Sequence, residues 1–315
     1  MNGADFEAAN KDVSAELFVP AQREEGAVSC VMARPSLSYW QDAWLRLRKN
    51  RVATLGLCIL VFYVIMAVVV PMLSNIDYRS ISDIAIDSPP SAEHWFGTDT
   101  LGRDMWMRIW IGARVSLSIG ILAASINAII GVVIGGVSGY FGGRLDMLVM
   151  RLLDVVSGIP YLIVAILVMV VLGEGIAPLI VAMITIGWVG SARLVRGQVL
   201  QLKNQEYVLA AKKLGASHAR IIFRHLIPNT SGLILTNVTM AVPYAIFTEA
   251  FLSYIGLGIQ PPGVSWGLLA RYGSQSFRFA PWQLFIPSFF IGTTMLSLYL
   301  LGDGLRDALD PKLRS

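Results

Sequence analysis

Residues 206–228 read Glu-Tyr-Val-Leu-Ala-Ala-Lys-Lys-Leu-Gly-Ala-Ser-His-Ala-Arg-Ile-Ile-Phe-Arg-His-Leu-Ile-Pro. This polar, helix-forming stretch lies between two long apolar segments, at 176–195 and 229–254. A polar connection between two membrane-length apolar runs lies at the water-facing surface of a membrane protein. The stretch is therefore predicted to be a docking element on such a surface.

The composition of the 315-residue chain is that of a polytopic membrane protein. Hydrophobic residues make up 55% of it and charged residues 15%, and the mean hydropathy is +0.62. A helix needs about 20 apolar residues to cross a hydrocarbon core. Runs of about that length lie at 52–73, 115–138, 155–173, 176–195, 229–254 and 283–302. The sequence thus predicts an all-α polytopic membrane protein with six transmembrane helices.

The distribution of Lys and Arg predicts the orientation of the chain. With the N-terminus in the cytoplasm, 19 of the 25 basic residues fall in cytoplasmic segments and six fall outside. Because cytoplasmic loops carry the excess of basic residues, both termini and the loop 196–228 are predicted to be cytoplasmic. Basic residues placed beside spans do not indicate a nucleic-acid partner, despite the net charge of +4.

The N-terminal region divides into two parts. Residues 1–36 are polar with scattered acids and are predicted to be a disordered cytoplasmic tail. Residues 37–51 are predicted to form an amphipathic helix in the inner headgroup layer. An ordinary basic and aromatic collar beside the first span is the alternative. The helical stripe consists of Leu37, Trp40, Trp44 and Leu47.

The rest of the chain is divided by its apolar runs. The first span (52–73) is followed by an external loop (74–114) and then by a core with five spans (115–315). Within the external loop, glycines and acids indicate a tight turn in which Asp99 and Asp104 pair with Arg103 or cap a helix near residue 105. A structural role is favoured over solute contact. The residues of this turn are Gly97, Thr98, Asp99, Gly102, Arg103 and Asp104.

Three glycines four residues apart, Gly131, Gly135 and Gly139, lie on one face of the second span. Small residues at this spacing let two helix backbones approach closely in lipid. The face is predicted to meet another helix, of this chain or of a partner.

Charged residues near the membrane have structural and functional interpretations. Arg151 and Asp154 are predicted to form an ion pair one helical turn apart. Glu249 lies within the fifth apolar run, where an ionisable group must face protein or water. It is interpreted either as a pore-lining group or as a side chain that reaches the outer interface.

Motifs for catalysis or nucleotide binding are missing from the sequence. No Lys follows a Gly, so the Gly-Lys-Ser/Thr core of a phosphate-binding loop is absent. Neither His-Glu-x-x-His nor paired metal-binding cysteines occur. Gly-x-Ser-x-Gly occurs once, at 263–267, in a loop rich in glycine and proline rather than in the strand–turn–helix setting that a catalytic serine needs. The chain is predicted to be no enzyme, with no catalytic residues and no metal site.

Three motifs resemble those of the permease subunits of ATP-binding-cassette (ABC) importers for dipeptides and oligopeptides, the DppC and OppC type. The external turn fits the pattern GTD..GRD, and residues 256–267 fit GLG.QPP..SWG. Residues 206–228 resemble the cytoplasmic "EAA" loop of these permeases. Leu209 stands at the Glu position of that loop, and Glu206 is expected to take over the acidic role. The residues in register are Ala210, Ala211, Gly215 and Pro228.

The resemblance implies the type I ABC importer permease fold, in the plasma (inner) membrane of a prokaryote. It implies a second permease subunit (B type), two cytoplasmic ABC ATPases and an extracellular or periplasmic peptide-binding protein as partners, in a lipid bilayer. ATP and Mg would be used by the partner ATPases, and this chain is expected to bind no cofactor. The implied ATPase-coupling residues are Glu206, Ala210, Ala211, Gly215, Ala216 and Ser217.

Two other functions remain open on the sequence. One is a nickel or other metal permease of the same family, against which His94, the only histidine in an outward segment, argues weakly. The other is an ion channel or a secondary carrier. A proton-coupled carrier needs charges along its path, but the second, fourth and sixth spans lack Asp, Glu and Lys in their centres.

Overall fold

The computed structural model describes residues 39–74, 77–81 and 85–309. The tail predicted at 1–36 lies outside these ranges, as do Leu37 and residues 310–315. The helices in the described ranges are α1 (Tyr39–Lys49), α2 (Arg51–Leu73), α3 (Met105–Phe141), α4 (Gly143–Ser157), α5 (Tyr161–Leu172), α6 (Ile176–Leu202), α7 (Glu206–Lys213), α8 (His218–Arg220), the π-helical segment π1 (Ile221–Leu226), α9 (Ile227–Asn229), α10 (Ser231–Tyr254), α11 (Trp266–Gln275) and α12 (Trp282–Leu309).

Five helices in the described ranges are long and apolar enough to cross a membrane: α2, α3, α6, α10 and α12. Each contains one of the predicted apolar runs or nearly coincides with it. The fold is the helical one expected of a type I importer permease.

The run at 155–173, predicted as one span, is broken in two. α4 ends at Ser157, α5 begins at Tyr161, and the two helices are bent by 83°. Pro160 has no N–H and disfavours helical backbone at Ile159, so one helix does not continue through this point. α5 alone, with 12 residues, is about 18 Å long and too short for a core of about 30 Å. The described chain therefore has five spanning helices, or six if the bent pair is one span.

α3 begins ten residues before the predicted span. Residues 105–114, predicted as external loop, are its first turns. The Asp104 carboxylate starts the helix by accepting a hydrogen bond from the Met107 N–H at 2.8 Å. α3 packs against α2, α6, α10 and α11 and is the central helix of the fold.

An aromatic cluster fills the core around α3. Tyr63, Trp110, Trp266 and Phe290 lie with neighbouring ring centroids 5.1–6.4 Å apart. The Trp266 indole is fully buried and donates to the Ile109 carbonyl at 3.0 Å. Trp266 is thus a core residue.

The first helix packs on the inner end of the last one. Ala43 and Leu47 of α1 are buried against Ala308 and Leu309, while Trp44 is half exposed. Leu47 of the predicted stripe therefore faces protein, whereas Trp44 does not. Contact of the other side of the stripe with headgroups stays a prediction.

Candidate functional site

The predicted docking stretch folds into α7 and a turn at Gly215. Gly215 has a φ of +78°, the left-handed conformation that glycine adopts without strain. Its N–H donates to the Lys212 carbonyl at 3.1 Å, and the Ala216 N–H donates to the Ala211 carbonyl at 3.0 Å. These bonds satisfy carbonyls at the end of α7. Gly215 thus ends α7 in the way that glycine commonly ends helices.

The next segment begins at Ser217. Its hydroxyl accepts a hydrogen bond from the Arg220 N–H at 3.3 Å and caps α8, as the sequence predicts. The chain then widens into π1 before Pro228, a feature that the sequence did not predict. The docking stretch is therefore two short helices joined by a sharp turn.

One side of α7 is exposed and combines apolar side chains with the charged Glu206 and Lys213. Tyr207, Leu209 and Leu214 are exposed by 41%, 43% and 87%. Glu206 and Ala210 are exposed beside them, and Ala211 is half-buried. Small and apolar side chains that open together onto water form a contact surface for another protein.

The C-terminal end of α3 is contacted by Lys212 of α7, His218 of α8 and Lys203, which follows α6. The Tyr140 hydroxyl and the His218 Nδ1 are 2.8 Å apart, and the Lys212 ammonium lies 5.1 Å from the centre of the Tyr140 ring. The Lys203 ammonium donates to the Gly139 carbonyl at 2.9 Å. We call these five residues the inner clamp.

Beneath the inner clamp lies a small apolar core. Val208 of α7 and Ile222 of π1 are buried against Val195 and Val199 of α6. The docking surface is therefore in direct contact with α6 as well as α3.

The three-glycine face of α3 packs on α6. A Cβ added to Gly131 would lie 2.5 Å from the Ser191 Cβ, and one added to Gly139 would lie 3.0 Å from the Arg196 carbonyl oxygen. At Gly135 an added Cβ would overlap the Ala192 carbonyl oxygen. The partner left open by the sequence is thus a helix of this chain. Such close packing makes α3 and α6 one rigid pair.

Ion pairs connect α4 to the same helix. Arg196 donates to both carboxylate oxygens of Asp146, at 2.5 and 2.6 Å. Arg193 donates to Asp154 at 3.0 Å and to the Ser157 hydroxyl at 3.1 Å. The predicted pairing of Asp154 with Arg151 is therefore wrong: its partner is on α6, which the tertiary fold brings close.

A cavity of about 650 Å³ lies between α3, the bend after α4, α6 and α10. Its small lining residues are Ala124, Gly158, Gly187, Gly190, Ala241 and Ala245. Its neutral polar side chains include Asn127, Tyr161, Tyr244 and Thr248, and Arg193 lies at its edge. A wall of this kind accepts varied shapes without a strong charge preference.

Sequence reasoning missed the cavity residues. Two signals were available: Asn127 is an amide inside the apolar run 115–138, and Gly158-Ile159-Pro160 interrupts the run 155–173. Neither signal says which helices meet there. The cavity arises only when α6 and α10 pack around these positions.

The external turn is a buried structural unit. Asp99 accepts hydrogen bonds from the Leu101 and Arg103 backbone N–H groups, and its carboxylate pairs with the Arg103 side chain at 2.7 Å. Gly97 and Gly102 have φ of +71° and +70°. Thr98 is buried, and its carbonyl accepts from Gln283 of α12 at 2.8 Å. The arrangement joins the loop to the outer end of α12.

Glu249 is fully buried between helices. Its carboxylate accepts hydrogen bonds from the hydroxyls of Ser116 on α3 and Ser253 on α10, both at 2.8 Å. In this structure Glu249 is not exposed and is not among the cavity-lining residues, and a pore-lining role for it stays a prediction. Ser116, distant in sequence, supplies a protein partner at membrane depth.

Together these features define a helical membrane protein whose inner docking surface is connected to a central cavity. The chain belongs to the family of binding-protein-dependent transport system inner membrane components, which matches residues 131–315. Residues 38–90 match the N-terminal TM domain of oligopeptide transport permease C. The chain is a membrane-spanning permease component of a transport system.

Its relatives are similar over nearly their whole length. The chain is 53% identical over 306 residues to the dipeptide transport system permease protein DppC of Bacillus subtilis (strain 168), covering 97% of this chain and 95% of the relative. It is 49% identical over 304 residues to the oligopeptide transport system permease protein OppC of the same organism, covering 96% and 99%. Identity to OppC of Haemophilus influenzae is 43%, covering 88% and 90%.

Proposed function

We propose that this chain forms one half of the membrane pathway of an ATP-driven importer of dipeptides or oligopeptides. The observation that carries the proposal is the cavity of about 650 Å³, whose wall is mainly apolar, with several small residues and several neutral polar side chains. Peptides of different sequence share a neutral polar main chain and differ in their side chains. A wall without a strong charge preference suits such a substrate class, and the relatives named as dipeptide and oligopeptide permeases support it.

The proposed partners are a second permease subunit of the B type, two cytoplasmic ABC ATPases and an external peptide-binding protein. The exposed side of α7 supports the ATPase contact, because a short helix that presents small and apolar residues beside charged ones fits a groove on a partner. Glu206, Ala210, Ala211, Gly215, Ala216 and Ser217 are the proposed coupling residues. ATP and Mg act in the partners, and this chain binds no cofactor.

Coupling proceeds through contacts of the inner surface. When ATP brings the two ATPases together, α7 moves with the groove that holds it. The inner clamp and the apolar core beneath it carry this movement to α3 and α6, which move as one pair because their backbones are in contact. The pair lines the cavity, so its tilt switches access from one side of the membrane to the other.

The proposed location is the plasma (inner) membrane of a prokaryote, with both termini in the cytoplasm. The excess of basic residues in the segments on that side supports this orientation. It places α7 in the compartment that contains ATP.

Uptake by the reconstituted complex tests the function. The chain is co-expressed with its neighbouring transporter subunits, purified, and placed in vesicles with the binding protein and labelled peptides. We expect uptake of dipeptides or oligopeptides that requires ATP. ATP-driven uptake of Ni²⁺ but not of peptides would favour a metal permease, and peptide or ion flux that is independent of ATP would favour a carrier or channel.

A further inference from the structure

Two polar atoms in the cavity wall have no hydrogen-bond partner among the described residues. They are the Oδ1 of Asn127 on α3 and the hydroxyl of Tyr161 at the start of α5, and both atoms are buried. Leaving a buried polar atom unpaired costs free energy. Since both residues line the cavity, a group that enters it is the natural partner for both.

The Asn127 side chain has one of its two N–H donors in a long hydrogen bond and its Oδ1 acceptor free. Its Nδ2 donates to the Met183 carbonyl at 3.5 Å. Its carboxamide lies against α6 at Gly187, where an added Cβ would come within 2.8 Å of the Asn127 Cγ. Only a glycine at 187 leaves room for this placement.

Tyr161 is placed by the bend between α4 and α5. It is the first residue of α5 and follows Pro160, the helix cap. Its ring packs against the main apolar core. A core-packed ring fixes the position of the hydroxyl, so this side chain presents a donor at a set point of the wall.

We propose that Asn127 and Tyr161 form a subsite for the main chain of a transported peptide. Each peptide unit has one N–H donor and one C=O acceptor. The Asn127 Oδ1 accepts from the peptide N–H, and the Tyr161 hydroxyl donates to the peptide carbonyl. Neighbouring groups cover both atoms here, so the peptide reaches them when the cavity widens during transport.

The subsite rests on the proposed peptide import and adds which part of the peptide the membrane subunit recognises. It recognises what every peptide shares, while glycines and alanines elsewhere in the wall leave the side chains unselected. The membrane subunit would then distinguish a peptide from a solute that lacks amide groups, without distinguishing one peptide from another.

The first test removes one hydroxyl. Tyr161→Phe keeps the packed ring, and in the full reconstituted complex we expect peptide uptake to fall about threefold to tenfold, by a similar factor for peptides of different sequence. Tyr244→Phe is the control, since this tyrosine lines the same cavity but is 62% exposed. Wild-type uptake in Tyr161→Phe, or equal losses in both variants, would overturn the role of Tyr161.

The second test uses peptides in which one main-chain amide is N-methylated and therefore has no N–H. With the same binding protein throughout, we expect the wild type to import the methylated peptide about threefold to tenfold more slowly than its parent. The ratio of the uptake rate of the parent peptide to that of the methylated peptide should approach one in Asn127→Ala. The same ratio in Asn127→Ala as in the wild type would mean that water, not peptide, meets the Asn127 acceptor.

A matched pair of glycine variants keeps the test usable if Asn127→Ala does not assemble. Gly187→Ala pushes the carboxamide aside and should also bring the ratio towards one, whereas Gly190→Ala, with nothing within 4 Å of the added Cβ, should keep the wild-type ratio. Failure of the wild type to import any peptide would reject the proposed function. Wild-type uptake with an unchanged ratio in Gly187→Ala would reject the subsite alone.

Discussion

At the scale of single residues, the backbone angle of Gly215 shapes one turn, and the buried carboxylate of Glu249 joins two helices. Gly215 adopts a positive φ with open space around its Cα, so strain at this position comes from the backbone alone. Glu249 instead depends on its surroundings, because two serine hydroxyls meet its carboxylate in a protein interior. Substitutions at the two positions are therefore expected to have different effects.

Gly215→Val should leave the chain inserted in the membrane but disconnect it from its ATPases. A β-branched residue at a φ of +78° costs about 1–3 kcal/mol, which changes the angle between α7 and α8. We expect peptide-stimulated ATP hydrolysis in vesicles to fall by about tenfold or more. Asn tolerates this conformation, so Gly215→Asn should keep most of the peptide-stimulated ATP hydrolysis. Equal activity in the two variants would remove the turn from the coupling route.

Glu249→Ala should destabilise the protein rather than change its substrate preference. The change leaves a void and removes the acceptor of two serine O–H donors, which together cost about 2–4 kcal/mol. Glu249→Gln keeps the shape and an acceptor and should cost about 1 kcal/mol. Thermal unfolding in detergent measures both. A lower transport rate in Glu249→Gln with an unchanged melting temperature would contradict this structural role.

At the scale of helices, the contact between α3 and α6 is the feature on which the cavity depends. At Gly135 it consists of backbone against backbone, while Gly131 and Gly139 also face the side chains of Ser191 and Val199. Neighbouring positions on the same helix do not share this restriction. At Gly136 an added Cβ would make only ordinary contacts, the nearest at 3.7 Å.

Gly135→Ala and Gly136→Ala therefore form a matched pair. The first adds a methyl group onto the Ala192 carbonyl and should separate α3 from α6, which lowers the yield of assembled complex and its melting temperature. The second should behave like the wild type. Size-exclusion chromatography of the purified complex and thermal unfolding measure the difference. Equal stability of the two variants would show that the helices have room to separate.

At the scale of the whole molecule, local rules predicted more than long-range ones. The Gly215 turn, the Ser217 cap and the Asp104 cap follow from residue types within a few positions, and the structure has all three. The bend at 158–160, the burial of Glu249 and the pairing of Asp154 with Arg193 depend on helices far apart in sequence. Apolar length alone also does not distinguish one span from two short helices, as the run 155–173 demonstrates.

Topology is the whole-molecule property that labelling can test. In a background with Cys30→Ser and Cys58→Ser, Ser91→Cys should react with a membrane-impermeant thiol reagent in intact cells. Ser217→Cys should react only after the cells are permeabilised. Both side chains are exposed in the structure, so a difference reports the side of the membrane. Equal labelling of both variants in intact cells would contradict the predicted orientation.

The length of α3 makes it a lever. From Met105 to Tyr140 it extends about 53 Å, with the buried external turn as a pivot at one end and the inner clamp as the point where force is applied. A displacement of about 2 Å at Tyr140, of the size seen when helices shift in switching proteins, moves Asn127 by about 1.3 Å. That movement stretches a 2.9 Å hydrogen bond beyond about 4 Å and breaks it. One displacement of α3 at Tyr140 would thus break the hydrogen bond between Asn127 and a bound peptide.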